Sequence, residues 1–210
     1  MHSFCDNKLD PMDYSLYIFD MGNVVIKNIH VIEKIAAHYA LPHDELAEDY
    51  GKYNFPLMDG TVSSDVYWRH VELLFGTKIQ GDPLVDFFKP VWNPPMVALI
   101  NHLKAHGKRV VCGSNTYAPH WDYMRGQGFL APFDRCYASH EMGITKPTRQ
   151  FFEYILKSEG KSTAETFFID DYEENVVAAR KLGIATFHYV DDPRLSGEEK
   201  IKRLFGTHLF

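Results

Sequence analysis

The pattern of apolar and polar positions predicts a buried β-strand near the start of the chain. Four apolar residues, Leu16–Phe19, stand together and are followed at once by Asp20 and then by Gly22. A short apolar run rich in β-formers is typical of a parallel strand that is buried on both faces. In open α/β sheets, ligands bind just beyond the carboxyl ends of such strands. Asp20 occupies that position, although an acid followed by glycine is also common in an ordinary strand-ending turn.

The pattern changes from strand to helix over residues 29–89. Apolar residues recur at helical spacing through 31–39, and Ser63 or Ser64 is placed to cap a later helix. Between these helical stretches we predict an irregular loop over residues 54–60. The block contains no strand candidate. It is therefore expected to be an all-helical insertion.

Strands and helices alternate after this block. A helix is predicted after Asn93, and a capping box formed by Ser196 and Glu199 predicts a final helix. The predicted strands cover residues 109–113, 135–138, 166–169 and 185–190. This alternation indicates an α/β fold with a doubly wound, Rossmann-like parallel sheet.

Composition and charge narrow the function classes. The chain has 210 residues and 45% hydrophobic content, which is enough for a core with one inserted subdomain. Its net charge of −6 argues against a nucleic-acid binder or a basic membrane-surface protein. No apolar run approaches the length of a membrane span. We therefore expect neither nucleic acid nor membrane as a partner.

The cysteines and the first residues indicate the compartment. The three cysteines, Cys5, Cys112 and Cys136, are odd in number and far apart, which argues against a disulfide framework or a paired-cysteine metal site. Residues 1–6 lack the basic and apolar regions of a signal peptide. These features predict a cytoplasmic protein.

Polar clusters follow three of the predicted strands, and a lysine precedes a proline farther along. The clusters are Asp20, Ser114 with Asn115, and Asp170 with Asp171, and the lysine is Lys146. Each alone has an ordinary structural explanation, because serine and asparagine form turns and paired aspartates often cap helices. Because parallel strands end at the same edge of a sheet, we expect the clusters to converge there.

At these motifs the sequence resembles the haloacid dehalogenase superfamily of phosphohydrolases. The four motifs are Asp20-Met21-Gly22-Asn23-Val24, Ser114-Asn115-Thr116, Lys146-Pro147, and Ile169-Asp170-Asp171 followed by Asn175. The resemblance is greatest to small capped bacterial phosphatases, including glucose-1-phosphate phosphatases. It implies a core made of residues 1–28 and 90–210, with residues 29–89 as a helical cap. Within this cap, residues 53–60 are a candidate substrate-facing surface.

The resemblance also implies the chemistry of each site residue. Asp20 would be the nucleophile that forms an aspartyl-phosphate, and Lys146 would be catalytic by offsetting phosphoryl charge. Phosphate-binding residues would be Ser114, Asn115 and Lys146. A Mg²⁺ cofactor would be held by Asp20, the Gly22 carbonyl and Asp171. Asp170 would also belong to the metal site, either as a ligand or, together with Asn175, as a residue that supports the ligands. Converging carboxylates repel unless a cation joins them, and oxygen ligands suit Mg²⁺.

One position departs from the family pattern. Most phosphatases of this family carry an acid–base aspartate two residues after the nucleophile, whereas this chain has Gly22. Glycine cannot transfer a proton, so the leaving group must be protonated by another group or must depart without that help. His30, His70 and His120 are not singled out by spacing as replacements.

The expected function is that of a Mg²⁺-dependent phosphatase acting on a small phosphorylated metabolite, such as a sugar 1-phosphate. One alternative is a 2-haloacid dehalogenase, against which the acidic pair Asp170-Asp171 argues. Another is a family member that binds a phosphorylated ligand or a protein without turnover, for which Gly22 is the main support. The sequence does not predict the substrate itself or the oligomeric state.

Overall fold

A computed structural model describes residues 11–190 and 194–205. Over these residues the strands are β1 (Leu16–Phe19), β2 (Ile26–Lys27), β3 (Val91–Trp92), β4 (Arg109–Ser114), β5 (Arg135–Ala138), β6 (Thr166–Asp170) and β7 (Ala185–His188). The helices are α1 (Ile32–Tyr39), α2 (His43–Met58), α3 (Ser64–Phe75), α4 (Pro83–Asp86), α5 (Pro94–Ala105), α6 (Ala118–Gly126), α7 (Ser139–Met142), α8 (Arg149–Glu159), α9 (Glu173–Lys181) and α10 (Gly197–Phe205). Cys5 and residues 1–6, on which part of the compartment prediction rests, lie outside the described residues.

The main sheet is parallel and has the strand order β5-β4-β1-β6-β7. The central strand β1 pairs with β4 on one side and β6 on the other, so that Phe19 is in register with Cys112 and Ile169. The strands that carry the polar clusters are therefore immediate neighbours. This arrangement confirms the predicted doubly wound α/β fold.

The side chains of β1 alternate between two apolar cores, one on each face of the sheet. Tyr17 and Phe19 belong to one core cluster, whereas Leu16 and Ile18 belong to the other, and all four are fully buried. Strand side chains point alternately to opposite faces, so an uninterrupted apolar run is what a strand covered on both faces requires. This burial holds the carboxyl end of β1, and with it Asp20, in a fixed place.

The helical insertion, residues 29–89, contains α1 to α4 and no strand. It is flanked by β2 and β3, which pair antiparallel with Ile26 opposite Trp92. This two-stranded sheet was not predicted, because two-residue strands leave no periodic pattern. Both connections between the insertion and the rest of the chain pass through it.

The predicted loop over residues 54–60 is wrong, because α2 continues to Met58. Pro56 lies inside the helix near its carboxyl end, where it removes one amide donor. Leu57 is 1% exposed, and Met58 packs against the main core. Burial of these two side chains offsets the cost of the proline, and that burial depends on contacts distant in sequence.

Several helix ends test the predicted caps. Ser63 is the residue before α3, but its hydroxyl donates to Asp65 and makes no cap bond to the helix backbone. The capping box of α10 is confirmed, because the amide of Glu199 donates to the Ser196 hydroxyl at 3.2 Å and the Ser196 amide donates to the Glu199 carboxylate at 2.7 Å. None of the described helices has the length and apolar character that a membrane span requires.

Candidate active site

The polar ends of β1, β4 and β6 meet at one edge of the sheet. Asp20 follows β1, while Ser114 and Asp170 are the last residues of β4 and β6. All three are less than 9% exposed. The neighbouring strands thus bring to Asp20 two residues that lie far from it in the sequence: Ser114 is about 95 positions away and Asp170 is 150 positions away.

Lys146 lies between two of the carboxylates. Its Nζ donates to Asp20 Oδ1 at 2.5 Å and to Asp170 Oδ2 at 2.7 Å, and the residue is 1% exposed. The rings of Phe151 and Phe168 lie 5.7 and 5.5 Å from the same nitrogen. A buried ammonium needs such partners, because its desolvation is otherwise costly.

The charges at this site perturb one another. Burial raises the pKa of Asp20 to about 7, the nearby Asp170 and Asp171 add to the rise, and Lys146 opposes it. Burial alone would lower the pKa of Lys146, but Asp170 and Asp20 hold it above its ordinary value. The pKa of Asp171 is also raised, chiefly by burial. The site therefore carries more buried negative charge than the single lysine neutralises.

Asp170 has donors on both oxygens. The Asn175 amide donates to Oδ1 and to Oδ2 at 3.1 Å each, and the backbone amide of Tyr172 donates to Oδ1 at 2.7 Å. Together with Lys146, these contacts fix the carboxylate in one orientation. Asp170 thus anchors Lys146, and Asn175 supports that anchor.

Asn23 contacts the site although it had no predicted role. Its Nδ2 donates to Asp171 Oδ2 at 3.1 Å across 148 positions of sequence. Its backbone has a φ of 54°, a left-handed conformation that asparagine tolerates better than most residues. The sequence offered one signal for this role: Asn23 directly follows Gly22 inside a site motif, and asparagine commonly forms turns.

Asn115 binds the backbone of Lys146. Its Nδ2 donates to the Lys146 carbonyl at 2.9 Å, and the Lys146 amide donates to its Oδ1 at 2.8 Å. Both polar atoms of this side chain therefore already have partners, whereas the sequence predicted that the residue binds phosphate. Ser114 is 3% exposed beside it. The Asn115 side chain positions the turn that carries Lys146.

The carboxylates fit a divalent cation. One oxygen from each of Asp20, Asp170 and Asp171 lies within 4.8 Å of the others. Oxygen donors of this kind suit Mg²⁺. The pKa values of Asp20 and Asp171 are raised first by burial and then by the neighbouring carboxylates, and a bound cation would offset that negative charge. The donor set is therefore compatible with the predicted cofactor.

Binding of Mg²⁺ here should stabilise the protein, and Asp171→Asn should remove that effect. A ligand present at 100 times its Kd adds about 2.7 kcal/mol, which for a chain of this size raises Tm by about 5–10 °C. Thermal melts with rising MgCl₂ measure this for wild type, Asp171→Asn and a control, Asp44→Asn, whose fully exposed carboxylate lies on α2. Equal Mg²⁺ responses in wild type and Asp171→Asn would contradict the assignment.

The three histidines have different environments. His120 is buried, its ring stacks on Phe88 at 3.7 Å, and burial lowers its pKa to about 4. His70 pairs with Asp49 at 2.9 Å inside the helical insertion. His30 Nε2 lies 3.5 Å from Asn23 Nδ2. Of these three, His30 is the one in contact with a site residue, whereas His70 and His120 have structural partners; outside this set, His188 Nε2 lies 2.9 Å from the Asp171 carbonyl oxygen.

The space beside Gly22 is filled by another side chain. A Cβ on Gly22 would lie 2.7 Å from Ile29 Cδ1 and 3.9 Å from Asp20 Oδ2. The first distance is a steric overlap, so any side chain at position 22 would displace the δ-methyl of Ile29. Position 22 therefore has no acidic side chain, and the space that such a side chain would need is filled by the apolar δ-methyl of Ile29.

Comparisons with known proteins agree with this geometry. The chain is 37% identical over 97 residues to the sesquiterpene phosphatase astK of Aspergillus oryzae, an alignment that covers 46% of this chain and 50% of that protein. It is 22% identical to the D-ribitol-5-phosphate phosphatase of Bacteroides thetaiotaomicron, over 81% of this chain and 89% of that one. A mutant HAD family enzyme from Bacteroides thetaiotaomicron, solved with magnesium and inorganic phosphate, superposes with a TM-score of 0.69 at 25% identity, covering 94% of this chain and 99% of that chain.

The alignment with the sesquiterpene phosphatase spans about half of that relative's length. The finer resemblance to glucose-1-phosphate phosphatases stays a prediction. Residues 14–183 match the model of the haloacid dehalogenase-like hydrolases. The chain therefore belongs to the haloacid dehalogenase-like hydrolase family.

Proposed function

We propose that this hydrolase is a Mg²⁺-dependent phosphatase that cleaves a phosphate monoester of a small metabolite. The observation that carries the proposal is the Lys146 ammonium held between Asp20 and Asp170, with Asp171 beside them. This arrangement offers a nucleophile, a fixed cation and a set of metal-binding oxygens in one place. The phosphatase names of several relatives support the same reaction class.

In the proposed reaction, Asp20 attacks the phosphorus atom of the ester. Its Oδ1 is bound by Lys146, whereas its Oδ2 is the oxygen nearer to Gly22, so Oδ2 is the proposed nucleophile. The new O–P bond forms as the bond to the leaving alcohol oxygen breaks. Water then attacks the phosphorus of the aspartyl-phosphate, which releases inorganic phosphate and restores the carboxylate.

The surrounding residues hold the transferring group. Lys146 and Ser114 would bind phosphoryl oxygens, and Asn115, Asp170 and Asn175 keep Lys146 in place. Bound Mg²⁺ would neutralise charge on the carboxylates and the phosphoryl oxygens. In phosphoryl transfer, positioning and electrostatic stabilisation of this kind provide most of the rate enhancement.

A direct test is phosphate release from a generic aryl phosphate with and without Mg²⁺. The proposal expects turnover that requires the metal. Turnover of a 2-haloacid without metal would instead support the dehalogenase alternative. Binding of phosphorylated ligands with no release of phosphate would support the non-catalytic alternative, which Gly22 favours. A panel of metabolite phosphates that includes sugar 1-phosphates tests the substrate expectation.

The lack of a proton-donating side chain at position 22 leads to a second test. Acid assistance contributes about 10²–10⁴-fold and matters most for a basic leaving oxygen. Without an acid at position 22, we expect kcat/KM to depend steeply on leaving-group acidity across aryl phosphates of similar size. Gly22→Asp should flatten this dependence when it is built in an Ile29→Val background, because valine lacks the Cδ1 that would overlap the new side chain.

Two variants serve as matched controls for this measurement. Gly22→Asn in the same Ile29→Val background has the shape of aspartate without its acidity, and Ile29→Val alone reports the effect of the added space. Both should keep the steep dependence. A flat dependence in the wild type would mean that another group already supplies the proton, and His30 would then be the first residue to replace.

A further inference from the structure

A cavity of about 470 Å³ lies between the helical insertion and the active-site edge of the sheet. Gly22, Ser114 and Asn115 form its inner end, so a molecule in this cavity would meet the site at which phosphate is proposed to bind. Its volume is within the range of about 300–1,000 Å³ that is usual for small-molecule sites. The cavity is therefore the natural place for the part of the substrate that is not phosphate.

Most of the cavity wall is hydrocarbon. Apolar side chains come from both the insertion and the core, among them Ile29, Val31, Ile32, Ala47, Met58 and Met124. Ile29 occupies the volume into which a side chain at position 22 would project. The apolar surface thus continues up to the proposed reacting centre.

The tyrosine hydroxyls and the buried histidine in the cavity wall are hydrogen-bonded to one another. The hydroxyls of Tyr50 and Tyr117 lie 3.3 Å apart, and that of Tyr117 lies 3.4 Å from His120 Nε2. His120 Nε2 also lies 2.6 Å from the Leu84 carbonyl oxygen. These groups are therefore already hydrogen-bonded and give a ligand few new polar partners.

The remaining polar wall residues do not form a site for a polyol. His30, Glu33 and His43 are exposed, and His30 lies 3.5 Å from Asn23 beside the active site. Two further polar residues in the wall are Thr116, which is 5% exposed, and Asn54, whose Oδ1 is buried and has no hydrogen-bond partner among the described residues. These few groups can satisfy only some of the hydroxyls of a bound sugar, and the others would lose the bonds they make in water.

We propose that the substrate is the phosphate monoester of an apolar alcohol, with the hydrocarbon group filling this cavity and the phosphate at its inner end. This inference rests on the proposed phosphatase function. An apolar group gains free energy by leaving water for a hydrocarbon-lined cavity, and it demands no polar partners there.

The test uses n-alkyl phosphates from propyl to octyl, whose leaving alcohols have closely similar acidity. We expect kcat/KM for phosphate release to rise by roughly fourfold for each added methylene until the cavity is filled. Glycerol 1-phosphate, which is also an ester of a primary alcohol, should be a poorer substrate than octyl phosphate. A dependence on chain length that is flat or falling, in an enzyme that releases phosphate from polar esters, would overturn the inference.

Two variants in the helical insertion locate the effect. Met58→Gln places a polar group of nearly the same length in the wall, and should lower the octyl-to-propyl ratio of kcat/KM by about tenfold. Leu73→Gln makes the corresponding change at a side chain that is 87% exposed on α3, and should leave the ratio at the wild-type value. Equal ratios in Met58→Gln and the wild type would place the alkyl group outside this cavity.

A binding measurement separates this inference from the proposed function. Calorimetry with n-alkylphosphonates, which resist hydrolysis, should show affinity rising with chain length in the wild type and less steeply in Met58→Gln. If affinity rises in this way while no ester releases phosphate, binding of the hydrocarbon group in the cavity stands and the phosphatase proposal fails. If esters are hydrolysed but affinity is independent of chain length, the phosphatase proposal stands and the inference fails.

Discussion

Asp20→Asn is expected to reduce phosphate release by roughly 10⁴–10⁶-fold, the scale seen when an enzyme loses its nucleophile. An amide oxygen is a poor nucleophile, and it is a weaker ligand for Mg²⁺ than a carboxylate oxygen. Asparagine still accepts a hydrogen bond from Lys146, so the position of the lysine should persist. Phosphate release should be measured from an aryl phosphate under saturating Mg²⁺.

The fold of this variant should be intact. Because the wild-type carboxylate is buried and its pKa is raised to about 7, the neutral amide relieves charge repulsion at neutral pH. Far-UV circular dichroism should therefore match that of the wild type. Asp122→Asn, at an exposed residue of α6, is the matched control and should keep full activity. Turnover above about 1% in Asp20→Asn, free of wild-type protein, would mean that another residue attacks.

Lys146→Met is expected to impair both stability and activity. The substitution keeps the length of the side chain but removes the ammonium that Asp20 and Asp170 share. Breaking a buried ion pair by removing one partner costs about 3–5 kcal/mol, since it leaves uncompensated charge in the interior. Chemical denaturation in metal-free buffer at pH 8 measures the free energy of unfolding, and phosphate release measures the activity.

The pH dependence of this loss has a definite sign. Lys146 lowers the pKa of Asp20, so its removal raises that folded-state pKa further above the ordinary value of 3.8. A raised carboxyl pKa penalises the folded state above the unfolded-state pKa, and the penalty disappears below it. The stability deficit of Lys146→Met should therefore grow as pH rises from about 4 and shrink as pH falls.

Lys157→Met is the matched control for this substitution. Lys157 is exposed in the last turn of α8, and its replacement should change stability by no more than about 0.5 kcal/mol. A stability deficit of Lys146→Met as small as that of Lys157→Met would show that the buried carboxylates are neutral in the folded protein, which would contradict the charge distribution proposed for the site.

The sequence by itself determined the sheet and the place of the chemistry. A run of four apolar residues rich in β-formers is typical of an inner strand buried on both faces, so Leu16–Phe19 predicted β1 and located Asp20 at its end. The alternation of strands and helices then required parallel neighbours, which brought the ends of β4 and β6 to the same edge. The apolar run of each strand is a local pattern that is visible within about ten residues of sequence, and the alternation follows from the order of these runs along the chain.

Only the tertiary structure decided which partner each site residue has. The contact of Asn23 with Asp171, the engagement of the Asn115 amide by the backbone of Lys146, and the continuation of α2 past Pro56 all depend on groups from distant segments. The apolar cavity is likewise made by two segments that fold against each other. Hydrogen bonds and burial between distant segments leave no periodic trace in the sequence, because their geometry is set only when the sheet and the helical insertion pack together.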